Sequence, residues 1–129
     1  MDDFSDAIEN GNIGSRVQEM TDKLHPLLMK MRTSEKVFVC AINGSAAGGG
    51  LGLALASDYR VCSPEAKIAS AFFRLGLSPD GGTTWLLPRL VGNQVARKFF
   101  FNSEVWSAKQ ALDYGAVDEL ADPSILLDR

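Results

Sequence analysis

The stretch Ile42–Asp58, INGSAAGGGLGLALASD, decides how the rest of the chain is read. It holds five glycines and six alanines or serines in seventeen positions. Residues this small bring a backbone close to something: a neighbouring helix, a phosphate or a reacting carbonyl. Upstream, KVFVCAI (36–42) is a continuous β-branched and apolar run, which predicts a strand buried on both faces. NGS then turns the chain, GGGLGLALAS predicts a short small-faced helix, and DYRVCS (58–63) a second buried strand.

Working outward, residues 1–14 are acidic and contain ENGNIG, which predicts a loop or frayed start. SRVQEMTDKLHPLLMKM (15–31) sets Val17, Met20, Leu24, Leu27, Leu28 and Met31 at helical spacing. Pro26 removes a backbone donor there, which predicts a kink or division near Leu24. AKIAS (66–70) suits a third short strand and LGLSPDGGTT (75–84) a loop. Helices follow in 83–91, 93–101 and 107–114, the last capped by Ser107 and ended by Gly115 in the left-handed conformation. AVDEL (116–120) suits a strand, and DPSILLD opens a helix. Strands alternating with helices argue an α/β fold. The chain reads as a single domain over 1–129, one piece of a fold cut at both ends.

Bulk properties narrow the function. The chain has 129 residues, a net charge of −3 and 46% hydrophobic residues, as in an ordinary soluble domain. That charge offers no footprint for nucleic acid or an anionic membrane. No apolar run reaches a transmembrane length, and MDDFSDAIENG lacks a signal-peptide layout, so a cytoplasmic location is expected. Cys40 and Cys62 show no metal-ligand spacing and read as free, reduced thiols.

A helix N-terminus at Gly48, Gly49 and Gly50 exposes unpaired N–H groups with no Cβ in front of them. Such a place suits a phosphate or an oxyanion, and equally suits tight helix-on-sheet packing. The phosphate reading lacks the GxxxxGK[ST] signature, and a dinucleotide GxGxxG is absent.

VFVCAINGSAAGGGLGLALASDYRVCSPEAKIASAFFRLGLSPDGGTTWLLPRLVG (37–92) resembles the crotonase, or enoyl-CoA hydratase/isomerase, superfamily. SAKQALDYGAVDEL (107–120) is similar to that family's later helix and strand, and the likeness runs from about Ser15 to Leu120. It implies a spiral of β-β-α units, here a partial crotonase-like fold lacking the first strands and the C-terminal helices. It also implies an acyl-CoA thioester as substrate and partner, no separate cofactor, no metal, and assembly as homo-trimers or their multiples. The middle glycine of the triplet, Gly49, would donate its N–H to the thioester oxygen. Ala47, Gly48 and Gly50 would flank the bound thioester.

The resemblance also says which chemistry is missing. The two glutamates of a hydratase would fall at Gly52 and Phe72, and neither residue transfers a proton. One carboxylate remains: Asp80, just before paired glycines, where SAFFRLGLSPDGGTTWLLPR resembles ring-epoxyphenylacetyl-CoA and Δ3,Δ2-enoyl-CoA isomerases. LHPLLMKM matches their proline-interrupted helix. One base suffices to move a proton from the α- to the γ-carbon of a thioester. Phe72, Leu77 and Trp85 are candidates for an apolar wall that raises the Asp80 pKa by desolvation.

The plainer readings stand beside these. S-P-D-G is a common turn sequence in which Asp bonds its own backbone. His25 reads as a surface or packing histidine, and Asp58 as a residue fixing a backbone turn. Phe99, Phe100, Phe101 and Trp106 suit core or subunit packing better than an acyl pocket. Relatives carry their other oxyanion donor in a loop that would precede Met1. The alternative to an isomerase is therefore a non-catalytic crotonase-like module that binds acyl-CoA or assembles with other copies.

Overall fold

The computed structural model describes residues 10–128. Helix α1 (Ile13–Thr33) leads into strand β1 (Val39–Ile42), a two-residue strand β2 (Ala46–Ala47) and helix α2 (Gly49–Ala56). Strands β3 (Tyr59–Cys62) and β4 (Lys67–Ala69) follow, then a 3-10 turn at Phe73–Leu75. Helices α3 (Thr83–Val91) and α4 (Asn93–Phe101), strand β5 (Val105–Ser107), helix α5 (Ala108–Tyr114) and strand β6 (Glu119–Leu120) complete the order.

The strands form two three-stranded sheets, ordered β1-β3-β6 and β2-β4-β5. The chain passes from the first sheet to the second twice, from β1 to β2 and from β3 to β4. The two passes lie side by side: β1 runs parallel to β3 with Ile42 opposite Cys62, and β2 parallel to β4 with Ala47 opposite Ala69. This stacking of one β-β unit on the next is the expected spiral step. Strand β5 pairs antiparallel with β4, Trp106 opposite Ile68. Its three residues give no alternating pattern to read, so it went unpredicted, as did two-residue β2.

Helix α2 is apolar on every side, and Leu51, Gly52, Ala54, Leu55 and Ala56 are all buried. A helix without a polar face is stable only between other layers. The main core around it takes Ile42, Ile68, Leu87, Phe99 and Trp106. Phe99, Phe100 and Trp106 are core residues, as the packing reading expects, whereas Phe101 is exposed and stacks on Phe73. Helix α5 carries the predicted start and stop. The Ser107 hydroxyl accepts from the Gln110 N–H at 3.2 Å, the Gln110 side chain accepts from the Ser107 N–H at 3.0 Å, and Gly115 has φ +81°.

Three expectations are corrected. Helix α1 is not divided at Pro26; it runs continuously to Thr33, because losing one N–H leaves the rest of a 21-residue ladder intact. Strand β1 is not buried on both faces. It pairs with β3 on one side, and Val39 is 64% exposed. DPSILLD forms successive turns rather than a helix, its bonds spanning three residues, Ile125 N–H to the Asp122 carbonyl and Asp128 N–H to the Ile125 carbonyl. The expected loose start lies largely outside the described residues, although Ile13 and Gly14 already belong to α1.

An ion pair between a buried arginine and a partly exposed aspartate ties the first sheet together. Arg60, its side chain 5% exposed, meets Asp118 at 2.7 Å and donates to the Ser57 carbonyl at 2.8 Å. The Asp118 carboxylate also accepts the Arg60 backbone N–H at 2.8 Å. Asp58, expected to fix a local turn, instead ties the end of α2 to the start of the first strand segment, its carboxylate accepting the Phe38 N–H at 2.9 Å and its own N–H donating to the Phe38 carbonyl at 2.8 Å.

Candidate active site

Gly48 begins the site. Its φ of +53° and ψ of −128° are closed to residues with a Cβ, and this turn lets β2 run straight into α2. Gly49 is then the first helical residue, so its N–H has no carbonyl one turn back to bond. Leu51 and Gly52 donate to the Gly48 carbonyl at 3.1 and 3.2 Å, which fixes the helix start and the direction of the Gly49 N–H. The Leu24 side chain of α1 packs against Gly49, with Cδ2 3.0 Å from where a Cβ would stand. Gly50 is exposed at the same turn, and Ala47 ends β2 with its side chain exposed.

One turn into α2, Gly52 lies against Gly81. A Cβ on Gly52 would sit 2.5 Å from the Gly81 carbonyl oxygen. This contact is backbone on backbone, and it joins the helix carrying Gly49 to the loop carrying Asp80. The loop is shaped by two consecutive left-handed glycines, Gly81 at φ +58° and Gly82 at φ +72°. The Thr83 hydroxyl and N–H both donate to the Asp80 carbonyl, at 2.7 and 3.0 Å. The turn is therefore closed by the main-chain oxygen of Asp80. Among the described residues, no donor reaches its carboxylate, so the side chain is not doing the turn duty that S-P-D-G suggests.

Asp80 opens instead into a groove of about 660 Å³ between α1 and α3. Helix α1 lines it with His25, Leu28, Met29 and Arg32; the loop and α3 add Gly81, Gly82, Trp85 and Leu86, and α2 adds Ala56. The walls are mostly apolar, with few polar groups, as small-molecule clefts usually are. Trp85 is half-exposed, and the guanidinium of Arg89 lies 3.7 Å from its ring centre. That stacking holds the indole as a wall.

Of the three residues expected to wall Asp80, Trp85 alone lines the groove. Phe72 is 4% exposed and belongs to the core, where the start of the 3-10 turn directs it. Leu77, half-buried, follows that turn with its N–H bonded to the Phe72 carbonyl. Leu28, Met29 and Leu86 take their place. His25, read from the sequence as a surface or packing histidine, is exposed and lines the groove with Asp80. A position one turn before Met29 on the same helix was the signal available for it.

The two thiols are free, as expected. Cys62 is fully buried and its thiol is pushed up to about 11, first by burial and then by Cys40. Such a thiol stays protonated at neutral pH and serves packing. Among the described residues no group of three or more metal-ligating side chains comes together, and no helix is long and apolar enough to cross a membrane.

Two stacked β-β units and a glycine-opened helix held against the Gly81 loop define a partial crotonase fold. The solved structure of an enoyl-CoA hydratase/isomerase from Cupriavidus metallidurans CH34 matches 97% of this chain with a TM-score of 0.81 and 31% identity. The enoyl-CoA hydratase/isomerase family model matches residues 2–128, and the chain belongs to that family. It is 39% identical over 104 residues, 81% of its length, to the 1,2-epoxyphenylacetyl-CoA isomerase of Escherichia coli. A crotonyl-CoA hydratase of Syntrophomonas wolfei is 33% identical over 122 residues, 95% of this chain. The chain spans 46% of the first of these proteins, 40% of the second and 43% of the third.

Proposed function

We propose that the chain carries the chemistry of an acyl-CoA isomerase, with Asp80 as the single base and Gly49 as an oxyanion donor. The observation that supports this reading is the Gly52–Gly81 contact, which leaves no room for a side chain at Gly52 and joins α2 to the loop that carries Asp80. A thioester oxygen bonded to the Gly49 N–H polarises the carbonyl and acidifies the α-carbon. The Asp80 carboxylate removes the α-proton, and the C–H electron pair moves into an enolate whose charge rests on that oxygen. Returned by Asp80 to the γ-carbon, the proton shifts the double bond from the β,γ to the α,β position. No water enters, so no second carboxylate is needed.

The test is deuterium exchange at the α-carbon and double-bond migration of a β,γ-enoyl-CoA, followed by NMR, with wild type and Asp80→Asn compared. A wild-type rate that Asp80→Asn abolishes supports the reading; equal rates in the two proteins overturn it. A second reading, a binding or assembly module, is favoured by the exposed apolar residues Val37 and Val39 beside the edge of β1 that no strand pairs with among the described residues. A strand edge of that kind invites pairing with another chain. Under this reading the protein self-associates, and light scattering showing a folded monomer at micromolar concentration removes it.

A further inference from the structure

The proposed substrate groove has a charged far end. Helices α1 and α2 run side by side in register: Leu24 touches Gly49, Leu28 packs against Gly81, and Arg32 reaches the Ala56 carbonyl at 3.4 Å. Arg32 therefore lies two turns of α1 beyond the oxyanion donor, about 12 Å at 1.5 Å per residue. It is one turn, about 6 Å, beyond the level of Gly81 and its neighbour Asp80. Asp80, Leu28, Met29, Trp85 and Arg32 line one groove, which Gly49 itself does not line, so an acyl group whose α- and γ-carbons lie at Asp80 would run along Leu28, Met29 and Trp85 towards Arg32.

Arg32 is poorly satisfied where it stands. Among the described residues, Nη1 alone has partners, the Ala56 carbonyl at 3.4 Å and the Asp58 carboxylate at 3.6 Å. Both contacts are long and the pair is half-exposed, so it is worth little by itself. Asp58 accepts the Phe38 N–H on Oδ2 and faces Arg32 Nη1 with Oδ1, which leaves the other edge of the guanidinium open. The planar fork of Arg32 thus has Nε and Nη2 to offer. A hydrocarbon tail ending there would strip water from a cation and give nothing back. A carboxylate would take two parallel charge-assisted hydrogen bonds.

We infer that Arg32 reads an anionic group at the distal end of the bound acyl chain, so that the groove prefers monothioesters of dicarboxylic acids. The span to Arg32 corresponds to an acyl group of about six to ten carbons at the extension of a saturated chain. This inference rests on the placement of the thioester at Gly49 and of the reacting carbons at Asp80.

The experiment measures binding of octenoyl-CoA and of its ω-carboxylated analogue by calorimetry. Wild type, Arg32→Gln and Arg32→Lys are compared, with each fold checked by thermal unfolding. Wild type is expected to bind the carboxylated ester about tenfold or more tightly, in line with a charge-assisted pair. Arg32→Gln brings the two esters to within about twofold of each other, and Arg32→Lys retains part of the preference as a point charge without the fork. Equal binding of both esters by wild type overturns the inference and leaves the isomerase reading standing. A preference that survives Arg32→Gln assigns the recognition to another group and also overturns it. Failure of wild type to bind either ester overturns this inference and the proposed function together.

Discussion

Gly52 and Gly81 touch through their backbones, with no space for a side chain on Gly52: the missing Cβ would stand 2.5 Å from the Gly81 carbonyl oxygen. Real Cβ atoms do not come that close to a backbone oxygen, and neither partner is the end of a flexible side chain. Gly52→Ala is therefore expected to destabilise the protein by about 1–3 kcal/mol, and Gly52→Glu by more. Urea unfolding at fixed m-value checks this. A Gly52→Glu protein of wild-type stability would mean the Asp80 loop can move aside.

Asp80→Asn separates chemistry from folding. The turn uses the Asp80 carbonyl, which asparagine keeps. Stability should stay within about 0.5 kcal/mol of wild type. The α-proton exchange rate of the proposed reaction should fall by about 10²–10⁴, the usual worth of a positioned base.

Thr83→Val tests the support beneath Asp80. Thr83 is fully buried, and its hydroxyl gives the 2.7 Å bond that closes the Asp80 turn. The isosteric change removes this donor and leaves the Thr83 N–H on the same carbonyl. A loss of about 1 kcal/mol is expected by denaturation, together with slower exchange as the loop loosens.

Asp118→Ala should be the costliest of the single changes outside the site. It strands the Arg60 guanidinium, nearly buried, with the Ser57 carbonyl as its remaining acceptor. Because Asp118 itself is partly exposed, water can reach part of the site, and a loss of about 1–3 kcal/mol is expected. The double variant Arg60→Met, Asp118→Ala should recover much of it, and a double-mutant cycle measures the difference.

Stability should fall as pH rises above the ordinary thiol range. The Cys62 thiol titrates at about 11 in the folded chain against an ordinary 9.0. Between these values the unfolded state has released a proton that the folded state still holds, so alkaline pH favours unfolding. The contribution is fully present below pH 9 and is lost as pH approaches 11. Cys62→Ala removes that part of the slope, which unfolding curves at pH 8, 9 and 10 would show.

Much of the local structure was legible in single residues. Ser107 and Gly115 bound α5 because a capping hydroxyl and a left-handed glycine are local devices that need no distant partner. The three-helix run from Thr83 to Tyr114 and the glycine-opened α2 were legible for the same reason. The exposure of β1 was not, since a run of apolar residues shows what a strand can bury and not whether anything lies on its second edge. Nor was the continuity of α1 through Pro26, which depends on the turns either side of it.

By itself the sequence determined which residue types stand where: small residues at 48–50, glycine at 52 and a carboxylate at Asp80 just before paired glycines. Those are properties of residue type and spacing. The tertiary structure alone decided what that carboxylate faces. Packing α1 alongside α2 and α3 turned His25, Met29 and Arg32 from a helix surface into one wall of a groove, and sent Phe72 into the core. Which side chains share a cleft depends on how elements far apart in the chain pack together, and no local pattern encodes that.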